Sequence, residues 1–305
     1  MYLTDLLNLS LWSDYTFRIV LAGTTILGVL CGVLGSFIVL RREALLGDGI
    51  AHSSYPGIML AFLFIGVKSL DGLLLGAFFS ALIALGLILL ARHYTKLPFD
   101  GVLASTLSSF FGAGLVLSAI IQHSGNANQA GLNQFIFGQA STILYRDVVL
   151  TAGLSCIVLL LVLLFWKELK LMAFDPDYAR ALGLPGGKLN ILLSFLTMTT
   201  VLLSIQAVGI ILMSAMLIAP AVAARQWTRR LEPMVLASAA IGAVSSALGT
   251  AVSSSMQRMP TGPAIVVAAS IFVFISLFFA PGRGFISQYF HRRKMACAWA
   301  KGGAR

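Results

Sequence analysis

Residues 188–224 read KLNILLSFLTMTTVLLSIQAVGIILMSAMLIAPAVAA, 37 residues whose only charged side chain is Lys188 at the start. As one helix this run would be about 55 Å long at roughly 1.5 Å per residue, against a bilayer hydrocarbon core of about 30 Å. It is too long for one crossing and barely enough for two. One crossing would set the basic cluster that follows, Arg225 to Arg230, on the opposite side from the other basic clusters. Two short helices turning near Gln206 to Gly209 keep all of them together, and the chain is read that way.

Working outward, apolar runs recur at about 17–40, 44–66, 71–91, 101–121 and 147–166 before this segment, and at 234–256 and 263–281 after it. None alternates with the period of two that a membrane β-barrel strand needs. The expected fold is all-α: a polytopic membrane helical bundle of eight or nine transmembrane helices. Three regions follow from it, an outward N-terminal segment 1–16, a transmembrane domain 17–281 and a basic cytoplasmic tail 282–305.

Composition agrees. Of 305 residues, 58% are hydrophobic and 10% charged, and the mean hydropathy is +0.93. Soluble domains carry about 25% charged residues. The net charge of +10 could suggest nucleic acid, but its placement excludes that use. Arg41-Arg42, Arg92 to Lys96, Lys167 to Lys188, Arg225 to Arg230 and Arg283 to Arg305 punctuate the spans, as the positive-inside rule requires of cytoplasmic loops. Nine crossings then put the N-terminus outside and the C-terminus in the cytoplasm. The first 16 residues hold Asp5 and Asp14 but no Lys or Arg, unlike the basic start of a signal peptide. Cys31, Cys156 and Cys297 are widely spaced and imply no disulfide framework.

Asp48 is the one carboxylate well inside an apolar run, in Leu46-Gly47-Asp48-Gly49-Ile50-Ala51-His52-Ser53-Ser54-Tyr55-Pro56-Gly57. A carboxylate in lipid is expensive unless something polar or cationic answers it, which makes such a residue a candidate functional site. His52 lies four residues on, so the two share a helix face. They form either a satisfied internal polar pair or a site for an ion, and the expense favours the ion. Histidine with carboxylate suits Mn²⁺, Fe²⁺ or Zn²⁺ better than Ca²⁺ or Mg²⁺. Two donors are too few for a closed site, so others must come from elsewhere or from another subunit. Pro56 and Gly57 are expected to break the helix beside the pair, freeing a carbonyl near Ala51 or His52. Met59, Met213 and Met216 are read as packing residues, and His93, His123 and His291 as solvated.

A second segment, Phe174-Asp175-Pro176-Asp177-Tyr178-Ala179-Arg180-Ala181-Leu182-Gly183-Leu184-Pro185, predicts a two-turn helix. Asp175 is a good N-cap, Pro176 suits the first position and Gly183 is placed to stop it. It is a capped loop helix or a docking element for a cytoplasmic partner. The chain lacks a Gly-x-x-x-x-Gly-Lys-Ser/Thr loop, so it cannot cradle nucleotide phosphates that way. If transport is ATP-driven, the ATPase is another chain. No His-Glu-x-x-His is present either, and no enzymatic activity is expected.

The stretch Leu46 to Gly57 resembles the Gly-Asp-x-x-x-His…Pro-Gly signature of the manganese/zinc/iron-type ABC transporter permeases. Phe174 to Pro185 resembles that family's coupling segment. Gln206-Ala207-Val208-Gly209 through Met216-Leu217-Ile218-Ala219-Pro220-Ala221, and Pro260-Thr261-Gly262-Pro263, resemble its later motifs. The four occur in order over nearly the whole chain, with Ser53-Ser54-Tyr55 replacing a more apolar stretch. The resemblance implies a permease of the bacterial cytoplasmic (inner) membrane that dimerises with itself or with a sister permease. Two cytoplasmic ATPase subunits and an extracytoplasmic metal-binding protein would complete the system, with membrane lipid around it and no nucleic acid. It implies that Asp48 and His52 are the transit ligands for the metal, with no permanently bound cofactor. It also implies that Phe174, Asp175, Pro176, Ala179, Leu182 and Gly183 belong to the segment that contacts the ATPase. The function expected is uptake of Mn, Zn or Fe by alternating access. Neutral His52 would be needed to hold metal, so uptake should weaken at low pH. The alternatives are a proton- or ion-coupled secondary transporter, in which the pair relays protons, and an intramembrane metalloenzyme.

Overall fold

The structure is a computed structural model that describes residues 14–66, 70–123, 138, 143–256, 259–281, 284–286 and 288. The polar segment around Asn126 to Phe137 and most of the two termini lie outside the described residues. Every element among the described residues is helical: α1 Tyr15–Leu40, α2 Leu45–Ser53, α3 Tyr55–Ile65, α4 Leu70–Tyr94, α5 Phe99–His123, α6 Tyr145–Leu164, α7 Trp166–Phe174, α8 Pro176–Ala181, α9 Gly186–Val208, α10 Ile210–Trp227, α11 Leu231–Ser255 and α12 Thr261–Phe279. Eight of these are long and apolar enough to cross a membrane: α1, α4, α5, α6, α9, α10, α11 and α12. The expected run 44–66 is divided between α2 and α3, each too short to cross by itself.

The run 188–224 does divide in two. α9 ends at Val208 and α10 begins at Ile210, with Gly209 alone between them at φ 89°, ψ 165°. That region of backbone space is nearly exclusive to glycine.

α1 is enclosed on several sides, as a helix apolar all round should be, with Leu30, Cys31, Leu34 and Phe37 fully buried. It runs antiparallel to α11 at close range. A Cβ on Gly28 would stand 2.3 Å from the Gly242 carbonyl oxygen, so only glycine permits the approach. The Thr24 and Thr250 hydroxyls meet at 3.0 Å, and Ser238 donates to the Gly32 carbonyl at 2.7 Å. Such interhelical bonds hold helices together where no hydrophobic effect drives them.

Four of the basic clusters gather at one end of the bundle. Glu43, buried, accepts from Arg41 at 2.9 Å and from Arg92 at 2.8 Å. Arg41 also donates to Asn190 at the start of α9, and Arg225 donates to the Val39 carbonyl. The pairs Arg146–Asp71 and Gln206–Asp147 join the opposite ends of α4, α6 and α9.

Candidate metal transit site

α2 enters the bundle from the basic end, directly after Glu43. Its Leu46, Ile50 and Ala51 are buried in the core. Gly47 lets α10 come close, since a Cβ there would lie 2.5 Å from Leu217 Cδ2. The 3.6-residue repeat then turns Asp48 and His52 onto one shared face.

On that face Asp48 Oδ1 and His52 Nε2 are 3.4 Å apart, with side chains 26% and 14% exposed. Ser214 of α10 stands beside the Asp48 carboxylate. The His52 ring stands edge-on to Phe111 of α5, centroids 4.7 Å apart at 80°. Tyr55, fully buried, leans on the same Phe111 at 5.7 Å. His52 Nδ1 and the Tyr55 hydroxyl are buried without hydrogen-bond partners among the described residues. A 3.4 Å contact is long for a hydrogen bond, so the carboxylate and imidazole are near enough to share one ion without being locked to each other.

The helix breaks at Ser54, two residues before the expected Pro56. Pro56 instead occupies the first turn of α3, where its missing N–H is no loss. The carbonyls loosened at the break are answered by hydroxyls: Ser54 donates to Ala51 O and Ser80 of α4 donates to Ser53 O, both at 2.6 Å. Gly57 lies inside α3 against α4, where a Cβ would meet the Gly76 carbonyl oxygen at 2.0 Å. The Ser53-Ser54-Tyr55 stretch is thus the break itself.

The donor set is one carboxylate, one imidazole and one hydroxyl. Among the described residues no three His, Cys, Asp or Glu side chains gather as a metal site. These side chains alone would make an open site rather than a closed four-coordinate one. Met59, Met213 and Met216 are buried in the apolar core, in keeping with packing.

The Phe174 to Pro185 segment forms the short helix α8 at the basic end. Asp175 caps it, accepting from Tyr178 N at 2.9 Å. Gly183 ends it at φ 77°, and Leu184 N closes onto Ala179 O. Ala179 is buried, while Phe174, Tyr178 and Leu182, spaced four apart, are more than half exposed. Between α8 and the Arg41–Glu43–Arg92 cluster lies a cavity of about 600 Å³. Burial pushes the Arg41 guanidinium below its ordinary pKa, and Glu43 opposes that shift. The exposed apolar face and the cavity place α8 beside the corner from which α2 departs.

Sequence reasoning paired Asp48 with His52, but it did not bring in Phe111, Ser214, Ser80 or the Glu43 cluster. Phe111, Ser214, Ser80 and the Arg92 of that cluster each reach their partners across at least 27 residues of sequence, and no local spacing signals them.

A bundle with eight helices long and apolar enough to cross a bilayer is that of an integral membrane protein. The chain belongs to the ABC 3 transport family, whose pattern it matches over residues 13–280. It is 44% identical to the zinc transport system membrane protein TroC of Treponema pallidum over 292 residues, 96% of this chain and 98% of TroC. It is also 44% identical over 269 residues to the manganese transport system membrane protein MntC of Bacillus subtilis, covering 88% of this chain and 62% of MntC. A chain of PsaBC from Streptococcus pneumoniae, solved in complex with Fab, superposes with a TM-score of 0.80 at 29% identity, over 94% of this chain and all of that one.

Proposed function

We propose that this chain is the permease of an ATP-driven importer that carries Mn²⁺, Zn²⁺ or Fe²⁺ across the bacterial cytoplasmic membrane, with Asp48 and His52 as its transit ligands. The observation that carries the proposal is the carboxylate–imidazole pair, 3.4 Å apart, beside a helix break within a membrane bundle. Related proteins named for zinc and manganese transport support that cargo class. The open donor set suits a carrier, because conduction needs binding strong enough to admit an ion and weak enough to release it.

In this scheme the basic end faces the cytoplasm, the N-terminus lies outside and the C-terminus inside. Residues 17–281 form the transmembrane domain, between the outward segment 1–16 and the basic tail 282–305. A metal-binding protein delivers the ion at the outer end. Two copies, or this chain and a sister permease, supply the remaining ligands across their interface. ATPase subunits grip Phe174, Asp175, Pro176, Ala179, Leu182 and Gly183 from the cytoplasm. The cavity of about 600 Å³ behind α8 leaves room for that helix to press on the Arg41–Glu43–Arg92 corner. Glu43 leads straight into α2, so the push reaches Asp48 through five residues of backbone and His52 one helical turn later. Pro56 and Gly57 keep α3 close to α4 while α2 adjusts, and the pathway alternates between outward and inward access.

Metal uptake into vesicles decides between this scheme and ion-coupled transport. Uptake should require the coexpressed ATPase and persist when an ionophore collapses the proton gradient. Uptake without the ATPase, abolished by the ionophore, would make the protein a secondary transporter.

A further inference from the structure

The cavity of about 600 Å³ between α8 and the Glu43 corner is lined, among the described residues, by four arginines and one carboxylate. Arg41 and Arg42 come from the turn after α1, Arg92 from α4 and Arg180 from α8. Glu43 pairs with Arg41 and Arg92 together, and Asp177 with Arg180. Arg42 has no ion pair among the described residues. Two carboxylates against four guanidinium groups leave two positive charges unanswered. Arg42 is exposed, as are 41% of the Arg92 side chain and 70% of that of Arg180, so a ligand in the cavity can reach these cations.

The start of α9 adds to them. Gly186 and Gly187 line the same cavity, Pro185 supplies no side-chain cap, and the first turn holds no acidic residue. The N–H groups of Gly187 and Lys188 have no hydrogen-bond partner among the described residues. A Cβ on Gly187 would meet nothing within 4 Å, so this end of the helix is open. A bare helix N-terminus offers N–H donors and a partial positive charge.

Such a wall selects an anion. Its donors come from four separate elements, and the tetrahedral oxygens of a phosphate accept from more directions than a planar carboxylate can. The exposed Phe174, Tyr178 and Leu182 of α8 are not part of the wall, so a protein seated on that face leaves the cavity open to a small ligand. We propose that the cavity is a phosphate-binding site, with Arg42, Arg180 and the α9 N-terminus as its donors. The phosphate comes either free or as the head of an anionic phospholipid, since basic pockets at the cytoplasmic ends of spans hold such heads. The site rests on this cavity alone, and not on metal transport.

Two measurements on the purified, delipidated full-length protein separate the sources. Equilibrium binding of radiolabelled orthophosphate reads the free ion. Native mass spectrometry with phosphatidylglycerol, against diacylglycerol of the same acyl chains, reads the lipid head. Orthophosphate, phosphatidylglycerol or both should bind, and diacylglycerol should not. Arg42→Gln, at an exposed position outside the ion pairs, should weaken whichever binds by about tenfold, the worth of one charge-assisted hydrogen bond. Gly187→Glu puts a carboxylate into the open space, where a helix N-terminus favours it. That variant should abolish binding without lowering thermal stability, which separates loss of the site from loss of the fold. Binding of neither ligand would overturn the proposal, as would binding that survives either variant undiminished. If Arg42→Gln kept its phosphate but lost a copurifying ATPase, the proposal would also fall, and the cavity would receive an acidic side chain of a partner protein.

Discussion

Asp48 is tolerable within the membrane because His52, Ser214 and the Ser54 break surround it with polar groups. Glu43, five residues earlier, meets the same difficulty differently: two arginines neutralise it. Arg41 and Glu43 are more than nine-tenths buried, while Arg92 is 41% exposed. Removing one member of a buried charge pair strands the other, typically at about 3–5 kcal/mol, and exposure of Arg92 argues for the lower end. Glu43→Gln should therefore destabilise the detergent-solubilised protein by about 3 kcal/mol, read as an earlier loss of monodispersity on heating. An unchanged profile would mean that solvent already screens the cluster. At this scale the sequence revealed Asp48 and His52, since four residues on a helix settle their neighbourhood. It hid Ser214, Phe111 and Arg92, because only the packing of α10, α5 and α4 brings them near.

Whole helices were legible wherever an apolar run matched the bilayer, and their ends fell within a few residues of the hydropathy limits. The split of 188–224 was legible from its length together with the side on which one crossing would have put Arg225 to Arg230, and Gly209 carries it. Gly209→Ala forces a side chain into backbone geometry reserved for glycine, at a cost of about 1–3 kcal/mol, so reduced expression and thermal stability should follow. Wild-type behaviour would mean that α9 and α10 can rejoin as one helix. The break before α3 was less legible. Proline prefers the first turn of a new helix, and the hydroxyls of Ser54 and Ser80 determine where the old one stops. The cap on α8 was readable outright from Asp-Pro. Asp175→Ala should remove about 1 kcal/mol of helix stability, fraying α8. Association with a coexpressed ATPase, measured by copurification, should fall while the membrane level stays unchanged. Undiminished association would separate α8 from ATPase docking.

For the molecule as a whole, four basic clusters, far apart in sequence, gather at one end of the bundle, tied in part through Glu43, Asn190 and Val39. Charge placement anticipated that gathering, because membrane insertion sorts loops by Lys and Arg. The fold thereby joins an exposed helix at the basic end to a polar pair inside the membrane, with the Glu43 corner between them. The proposed permease stands or falls on metal passing over this pair. Its most direct test is radiometal uptake in vesicles holding the permease, its ATPase and its binding protein, comparing wild type with Asp48→Ala and His52→Ala and offering Mn²⁺, Zn²⁺ and Fe²⁺ in turn. Both variants should reach the membrane, retain the ATPase and lose uptake of the metal that wild type carries. Uptake at the wild-type rate in both variants would contradict the proposal and leave Asp48 and His52 a structural polar pair.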